Sequence, residues 1–145
     1  MIGLLQRVSR ADVVVENETI GQISHGLMVL IGVERDDNEK SASRLIDRLL
    51  SYRVFADEND KMNLSLSTTE GGLLLVPQFT LVADTKKGTR PGFSPGATPS
   101  LAEKLFLYSV NYATAHHKTV ACGKFGADMQ VTLTNDGPVT FILNT

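Results

Sequence analysis

The sequence predicts a single α+β domain over residues 1–145, built on a mainly antiparallel sheet that curls toward a β-barrel and carries two helices. Three observations predict it. The length matches one domain at about 150 residues per domain. Apolar residues fall into about seven short strand-like runs, and only two stretches repeat at helical spacing. Those runs follow one another with turn signals between them instead of alternating with helices, which favours α+β over a parallel βα fold. No self-similarity at periods of roughly 20–50 residues marks a repeat architecture.

In chain order, Met1–Val8 and Asp12–Glu16 are aliphatic and β-branched strands split by the polar Ser9-Arg10, with a turn at Asn17–Thr19. Leu27–Val33 is a continuous apolar run, the pattern of a central strand covered on both faces. Asp36 and Glu39 have capping-box spacing. Ala42, Leu45, Ile46, Leu49 and Leu50 then recur at helical intervals, giving a helix over about Asn38–Ser51. Tyr52–Ala56 reads as a strand and Asp57–Asp60 as a polar turn. Leu73–Val76 is another apolar strand, ended by Pro77, which has no ladder donor. Thr98 is an N-cap with Pro99 at the first helical position, and Leu101, Leu105, Tyr108 and Tyr112 form the stripe of a second helix ending near His116. Gln130–Thr134 and Val139–Leu143 read as strands joined by a turn at Asn135-Asp136-Gly137-Pro138.

Composition narrows the function classes. The only cysteine is Cys122, which excludes an intrachain disulfide and a thiolate metal cluster and points to a reducing cytoplasm. The longest apolar stretch, Gly26–Val33, is far short of the ~20 residues of a membrane span, and the amino end lacks a signal pattern. Fourteen basic against sixteen acidic residues give a net charge of -2, so any phosphate-bearing partner needs a local basic patch. Such a patch exists in the long Asp84–Thr98 segment, where Lys86, Lys87 and Arg90 are candidate RNA contacts or simply the charges of a solvated loop.

Most polar residues read as structural. His25, His116 and His117 lack metal-ligand spacing and suit solvated or helix-end positions, and Asp36, Asp37, Glu58 and Asp60 sit at caps and turns. Cys122 has no basic residue before Lys124 and reads as a bystander thiol. No ligand spacing or phosphate loop calls for a metal or organic cofactor. Two segments stand apart. In Pro77-Gln78-Phe79-Thr80-Leu81 an apolar strand breaks into polar and aromatic residues around a hydroxyl, as an edge strand or as a site. In Asn135-Asp136-Gly137-Pro138-Val139-Thr140, proline fixes one backbone angle and permits a cis peptide, as a rigid turn or as a functional element.

At these two segments the chain resembles the D-aminoacyl-tRNA deacylase family, whose hallmarks are Ser-Gln-Phe-Thr at a strand end and Asn-x-Gly-Pro-Val-Thr near the carboxyl end. The resemblance spans the chain, through Gln6-Arg7-Val8, Lys61-Met62-Asn63-Leu64, Arg90-Pro91-Gly92-Phe93-Ser94 and Ala127-Asp128-Met129-Gln130. Pro77 departs from the pattern by standing where the family has serine. The resemblance implies hydrolysis of the ester between a D-amino acid, or glycine, and the terminal ribose of tRNA. It implies that Gln78, Phe79 and Thr80 form the catalytic segment, whose backbone amides hold the substrate while the tRNA 2′-hydroxyl assists. A lone threonine hydroxyl with no base beside it is a poor nucleophile. It further implies that Gly137-Pro138 enters the active site of a twin subunit as a rigid cis-proline filter against L side chains, supported by Arg7 and Met129. The partners implied are aminoacyl-tRNA and a second copy of the chain, with active sites at the homodimer interface and no membrane. From their residues alone, Arg7 and Met129 also fit a surface arginine and a core methionine. The rival from another class is a non-catalytic dimer binding an amino-acid-like ligand or an RNA end, separated from an enzyme by the absence of turnover.

Overall fold

The computed structural model describes residues 1–145. The elements in chain order are strands β1 (Ile2–Val15), β2 (Glu18–Ile23) and β3 (Gly26–Gly32), helix α1 (Glu39–Ser51), strands β4 (Arg53–Ala56) and β5 (Met62–Ser65), a one-turn helix α2 (Leu66–Thr69), strand β6 (Gly72–Pro77), a 3-10 turn (Phe79–Val82), helix α3 (Pro99–His116), and strands β7 (Val120–Cys122) and β8 (Gln130–Asn144). The main sheet runs β2-β1-β3-β6-β7, with β8 on the other edge of β1. Strand β1 is antiparallel to β2, β3 and β8, whereas β3–β6 and β6–β7 are parallel. The sheet is therefore mixed, and α2 makes a third helix beside the two expected. The barrel comes close to closing between β2 and β7, where a Cβ on Gly21 would stand 2.8 Å from the Cys122 carbonyl oxygen.

The continuous apolar runs explain the layering. In β3 and β6, Leu27, Val29, Ile31, Leu73 and Leu75 face Leu45, Ile46 and Leu49 of α1 and Leu105 and Phe106 of α3 in the larger core. Met28, Leu74 and Val76 face the opposite way into a smaller core with Val8, Val13, Val15 and Ile23. Burial on both faces is what a parallel pair under crossover helices requires. Strand β1 serves both cores because its inward phase slips between Leu5 and Val8 and again before Ala11. Ser9-Arg10 is thus a bend within one strand, not a break, since β8 pairs along both halves.

Local chemistry sets the helix ends. Asn38, not Asp36, caps α1: its side chain accepts from the amides of Lys40 and Ser41 at 3.0 and 3.2 Å. The neighbouring Asp37 instead binds the Glu34 amide and the Met1 ammonium at 2.7 and 2.6 Å. Thr98 caps α3 with Pro99 in its first turn, as the sequence predicts. The stripe of α3 buries Ala102, Leu105, Phe106, Ser109 and Ala113, while Tyr108 and Tyr112 lie half-buried at its rim and bond Ser43 and Asp47 of α1. Strands β2, β5 and β7 are additions to the sequence reading. The expected turn at Asn135–Pro138 is a bulge: Gln6 pairs with Thr140 and Val8 with Asn135, so four residues of β8 loop out opposite Arg7 and the strand then resumes.

Candidate active site

The first centre is the turn after β6. Gln78 donates its amide to the Ile31 carbonyl at 2.8 Å, continuing the β3–β6 ladder for one residue past Pro77. Donors alternate sides along a strand, so position 77 points away from β3 toward Gly123, whose own amide bonds the Leu75 carbonyl; proline there gives that end of the β6–β7 ladder no donor, and its ring lies beside Gly123 instead. The 3-10 turn packs on the end of β3 because residue 32 is glycine; a Cβ there would stand 2.8 Å from Val82 and 3.1 Å from Leu81. The first bond of the turn runs from the Leu81 amide to the Gln78 carbonyl, which leaves the amides of Phe79 and Thr80 ahead of any acceptor inside the turn. Both residues are exposed, Phe79 at 63%. The Thr80 hydroxyl accepts a hydrogen bond from the Gln78 side-chain amide and has no histidine, lysine or carboxylate partner.

Beside this turn lies an apolar hollow. Phe79 packs against Phe93 with ring centroids 5.2 Å apart, and the two rings roof a cavity of about 70 Å³ walled by Ile31, Pro77, Ala102 and Phe125. A wider depression of about 390 Å³ continues past Phe79 and Phe125 to Met129. Met129 is seated there because Gly123 leaves room for its sulfur, 2.8 Å from where a Cβ would be. Phe93 returns to Phe79 because paired backbone bonds between Asp84 and Gly92, 2.7 and 2.9 Å, pin the base of the loop. Lys86, Lys87 and Arg90 occupy that loop, all exposed and none in an ion pair.

The second centre is the β8 bulge. The Gly137–Pro138 peptide is cis, Gly137 has φ +130°, and both residues are exposed. That φ belongs to glycine. Arg7 holds the bulge from below: its Nε donates to the Asp136 carbonyl at 3.0 Å and faces the Asp136 carboxylate at 3.2 Å, and its Nη1 donates to the Val54 carbonyl at 2.6 Å. The guanidinium is mostly buried, with the side chain 14% exposed. Three acceptors around one guanidinium suit a fork of fixed donors, which lysine could not supply.

The two centres do not meet within one chain. Arg7 pairs with Leu27, Leu27 pairs with Leu73, and Gln78 lies five residues beyond Leu73 and three strands from the bulge. At about 3.3 Å per residue and about 4.8 Å per strand the separation is about 20 Å. Of the residues singled out from sequence, Gln78, Phe79, Thr80 and Met129 gather at the first centre, and Arg7, Gly137 and Pro138 at the second. Sequence reasoning missed Phe125 and the wall it forms. His25, read from sequence as solvated, is half exposed; its Nε2 lies 4.0 Å from the Asp136 carboxylate and its ring packs on Phe55 at 5.0 Å. The other histidines are structural: His116 bonds the Tyr112 carbonyl and His117 the Gly71 carbonyl. Burial pushes the Cys122 thiol above its ordinary value, as a bystander requires.

A nearly closed mixed-sheet barrel, with a strand-end turn of unused amides over an aromatic hollow and a proline bulge on its far edge, offers a candidate site built from backbone and aromatic groups instead of an acid–base triad. The family model described as D-Tyr-tRNA(Tyr) deacylase matches residues 4–144. The D-aminoacyl-tRNA deacylases of Herminiimonas arsenicoxydans and Janthinobacterium sp. (strain Marseille) are 62% and 60% identical over 143 residues, in each case 99% of this chain and 96% of the relative. A solved structure of the c-Myc DNA Unwinding Element Binding Protein superposes with a TM-score of 0.95 at 35% identity, over 100% of this chain and 99% of the other. The chain belongs to the D-Tyr-tRNA(Tyr) deacylase family.

Proposed function

We propose that this chain is a D-aminoacyl-tRNA deacylase, an editing hydrolase that cleaves the ester between a D-amino acid, or glycine on alanine tRNA, and the terminal ribose, releasing the free amino acid and tRNA. The amides of Phe79 and Thr80 point at the developing oxyanion, where fixed donors lower the barrier most. With no base beside Thr80, the 2′-hydroxyl of the terminal ribose assists attack by water on the ester carbonyl, and the ribose 3′-oxygen leaves with a proton. The aromatic hollow at Phe79, Phe93 and Phe125 offers faces on which the terminal base stacks. Lys86, Lys87 and Arg90 take backbone phosphates.

Chirality is read by Gly137 and Pro138, and the observation that carries this reading is the separation of about 20 Å between them and their own Thr80. An exposed, clamped bulge that cannot reach its own site serves the site of a second copy, so the protein works as a homodimer with composite sites at the interface. Strand β8 suits that contact: its outer edge is unpaired, and Phe141 and Ile142 are 37% and 59% exposed. Glycine lets the backbone stand close to the substrate α-carbon, and proline fixes the carbonyl before it, so an L side chain meets backbone that cannot yield.

The test is hydrolysis of D-tyrosyl-, L-tyrosyl- and glycyl-tRNA with enzyme far below substrate. Loss of the D and glycyl esters over many turnovers, with the L ester spared, is the expected result. Absence of turnover by folded protein refutes the enzyme and leaves a binding module. A Thr80→Ala variant that binds tRNA and folds but does not turn over refutes assistance by the 2′-hydroxyl in favour of a threonine nucleophile.

A further inference from the structure

The Arg7 clamp is half of a larger arrangement. Arg7 bonds Asp136 on β8 and Val54 on β4, the ring of the adjacent Phe55 packs against His25 at 5.0 Å with a tilt of 55°, and His25 Nε2 lies 4.0 Å from the same Asp136 carboxylate. His25 itself is anchored in the β2–β3 turn, where its carbonyl accepts the Gly72 amide at 3.0 Å. The result is a closed circuit of four elements in which the Asp136 carboxylate has the Arg7 guanidinium at 3.2 Å and the His25 imidazole at 4.0 Å, and Asp136 immediately precedes Gly137. A second polar ring beside a carboxylate narrows the range over which it swings about its first partner, and the backbone attached to it moves less accordingly.

We propose that His25 is a positioning residue for chiral discrimination: through Asp136 it fixes where the Gly137–Pro138 bulge stands, and so how strictly L-aminoacyl esters are refused. This rests on the chirality reading given above. His25 touches no substrate and acts on the ratio of L to D hydrolysis. Both side chains are about half exposed, 52% and 45%, so the contact is of the solvent-screened kind and its effect modest.

The test compares kcat/KM for L- and D-tyrosyl-tRNA in the wild type, His25→Ala, His25→Phe, His25→Arg and Gly137→Ala, with thermal midpoints measured alongside. Phenylalanine keeps a ring against Phe55 and removes the polar nitrogen beside Asp136, so it preserves the packing while cutting the contact; arginine keeps a flat face for Phe55 and puts a charged donor within reach of the carboxylate. The expected result is an L-to-D ratio raised about two- to fivefold in His25→Ala and His25→Phe and returned to the wild-type value in His25→Arg. A His25→Phe ratio equal to wild type, with Gly137→Ala raising it, overturns the role of His25 and leaves the chirality reading standing. A ratio unaffected by Gly137→Ala as well overturns both.

Discussion

Replacing Arg7 by alanine is the sharpest perturbation the structure offers, because this one side chain ties the bulge to β4 through three polar contacts. Its removal leaves the Val54 carbonyl, on a fully buried residue, without its 2.6 Å donor, a loss of about 1–3 kcal/mol. The Asp136 carbonyl and carboxylate lose partners too, but Asp136 is 45% exposed and water replaces most of that interaction, adding about 1 kcal/mol. The sum is about 3 kcal/mol, which at this chain length lowers the melting temperature by about 6–12 °C. It is measured by calorimetry and urea unfolding at one fixed protein concentration, since a dimer's stability depends on concentration. The functional consequence is a larger one for chirality than for turnover: L-ester hydrolysis rises at least about tenfold relative to D-ester hydrolysis, as an unclamped bulge loses about 1.4 kcal/mol of discrimination. A variant that melts within about 2 °C of wild type and still refuses the L ester refutes the clamp.

Other expectations follow from single placements. Pro77→Ser restores the family's residue and with it an amide aimed at the Gly123 carbonyl, so a chain-entropy cost of about 0.5–1 kcal/mol is offset by a hydrogen bond of about the same size and stability moves by no more than about 1 kcal/mol, while D-ester kcat/KM changes by no more than about fivefold; a collapse of either places Pro77 inside the machinery. The triple variant Lys86→Ala, Lys87→Ala, Arg90→Ala reduces the slope of log KM against log salt by about 2, at about 0.7 per phosphate contact on single-stranded RNA, and an unchanged slope removes the loop from the tRNA path. Cys122, with its thiol raised by burial, reacts with iodoacetamide at neutral pH more slowly than free cysteine, and Cys122→Ser keeps full turnover; fast labelling contradicts its place in β7.

Much of this was legible because it is local. The uninterrupted apolar runs of β3 and β6, the periodicities of α1 and α3, and the stop at Pro77 need no long-range information, and the paired motifs at Pro77–Thr80 and Asn135–Thr140 led to the family that the comparisons bear out. What failed is non-local. Asp136-Gly137-Pro138 carries turn chemistry, yet the strand resumes after it because β1 offers a partner on both sides. The parallel pairing of β3, β6 and β7 is decided by the crossovers through α1 and α3, so the expected mainly antiparallel sheet carries a parallel part that no local pattern announces. Strands β5 and β7 and helix α2 have only four, three and four residues, too few to show a period. Phe125, His25 and Phe55 become parts of the two centres only through tertiary contacts, which no local spacing encodes.

The separation of the two centres admits a decisive experiment on how they combine. Phe79→Ala chains lack the exposed ring of the first centre and keep a native bulge; Gly137→Ala chains keep the first centre and spoil the bulge, since a Cβ there would stand 3.0 Å from Val139 and 3.2 Å from Arg7 Nη2 at a φ that alanine disfavours. Alone, the first is inactive and the second hydrolyses both D and L esters. When the two are dissociated and reassembled with a tenfold excess of Phe79→Ala, about nine in ten Gly137→Ala chains acquire a partner with a native bulge. If the bulge acts across the interface, each such pairing rebuilds one complete site, so L-ester hydrolysis falls to about one tenth while D-ester hydrolysis persists. If the bulge acts on its own chain, the defect travels with the active first centre, and no amount of added partner suppresses the L reaction. Only the trans arrangement lets an inactive chain restore selectivity to an active one, and an L-ester rate unmoved by the excess refutes it.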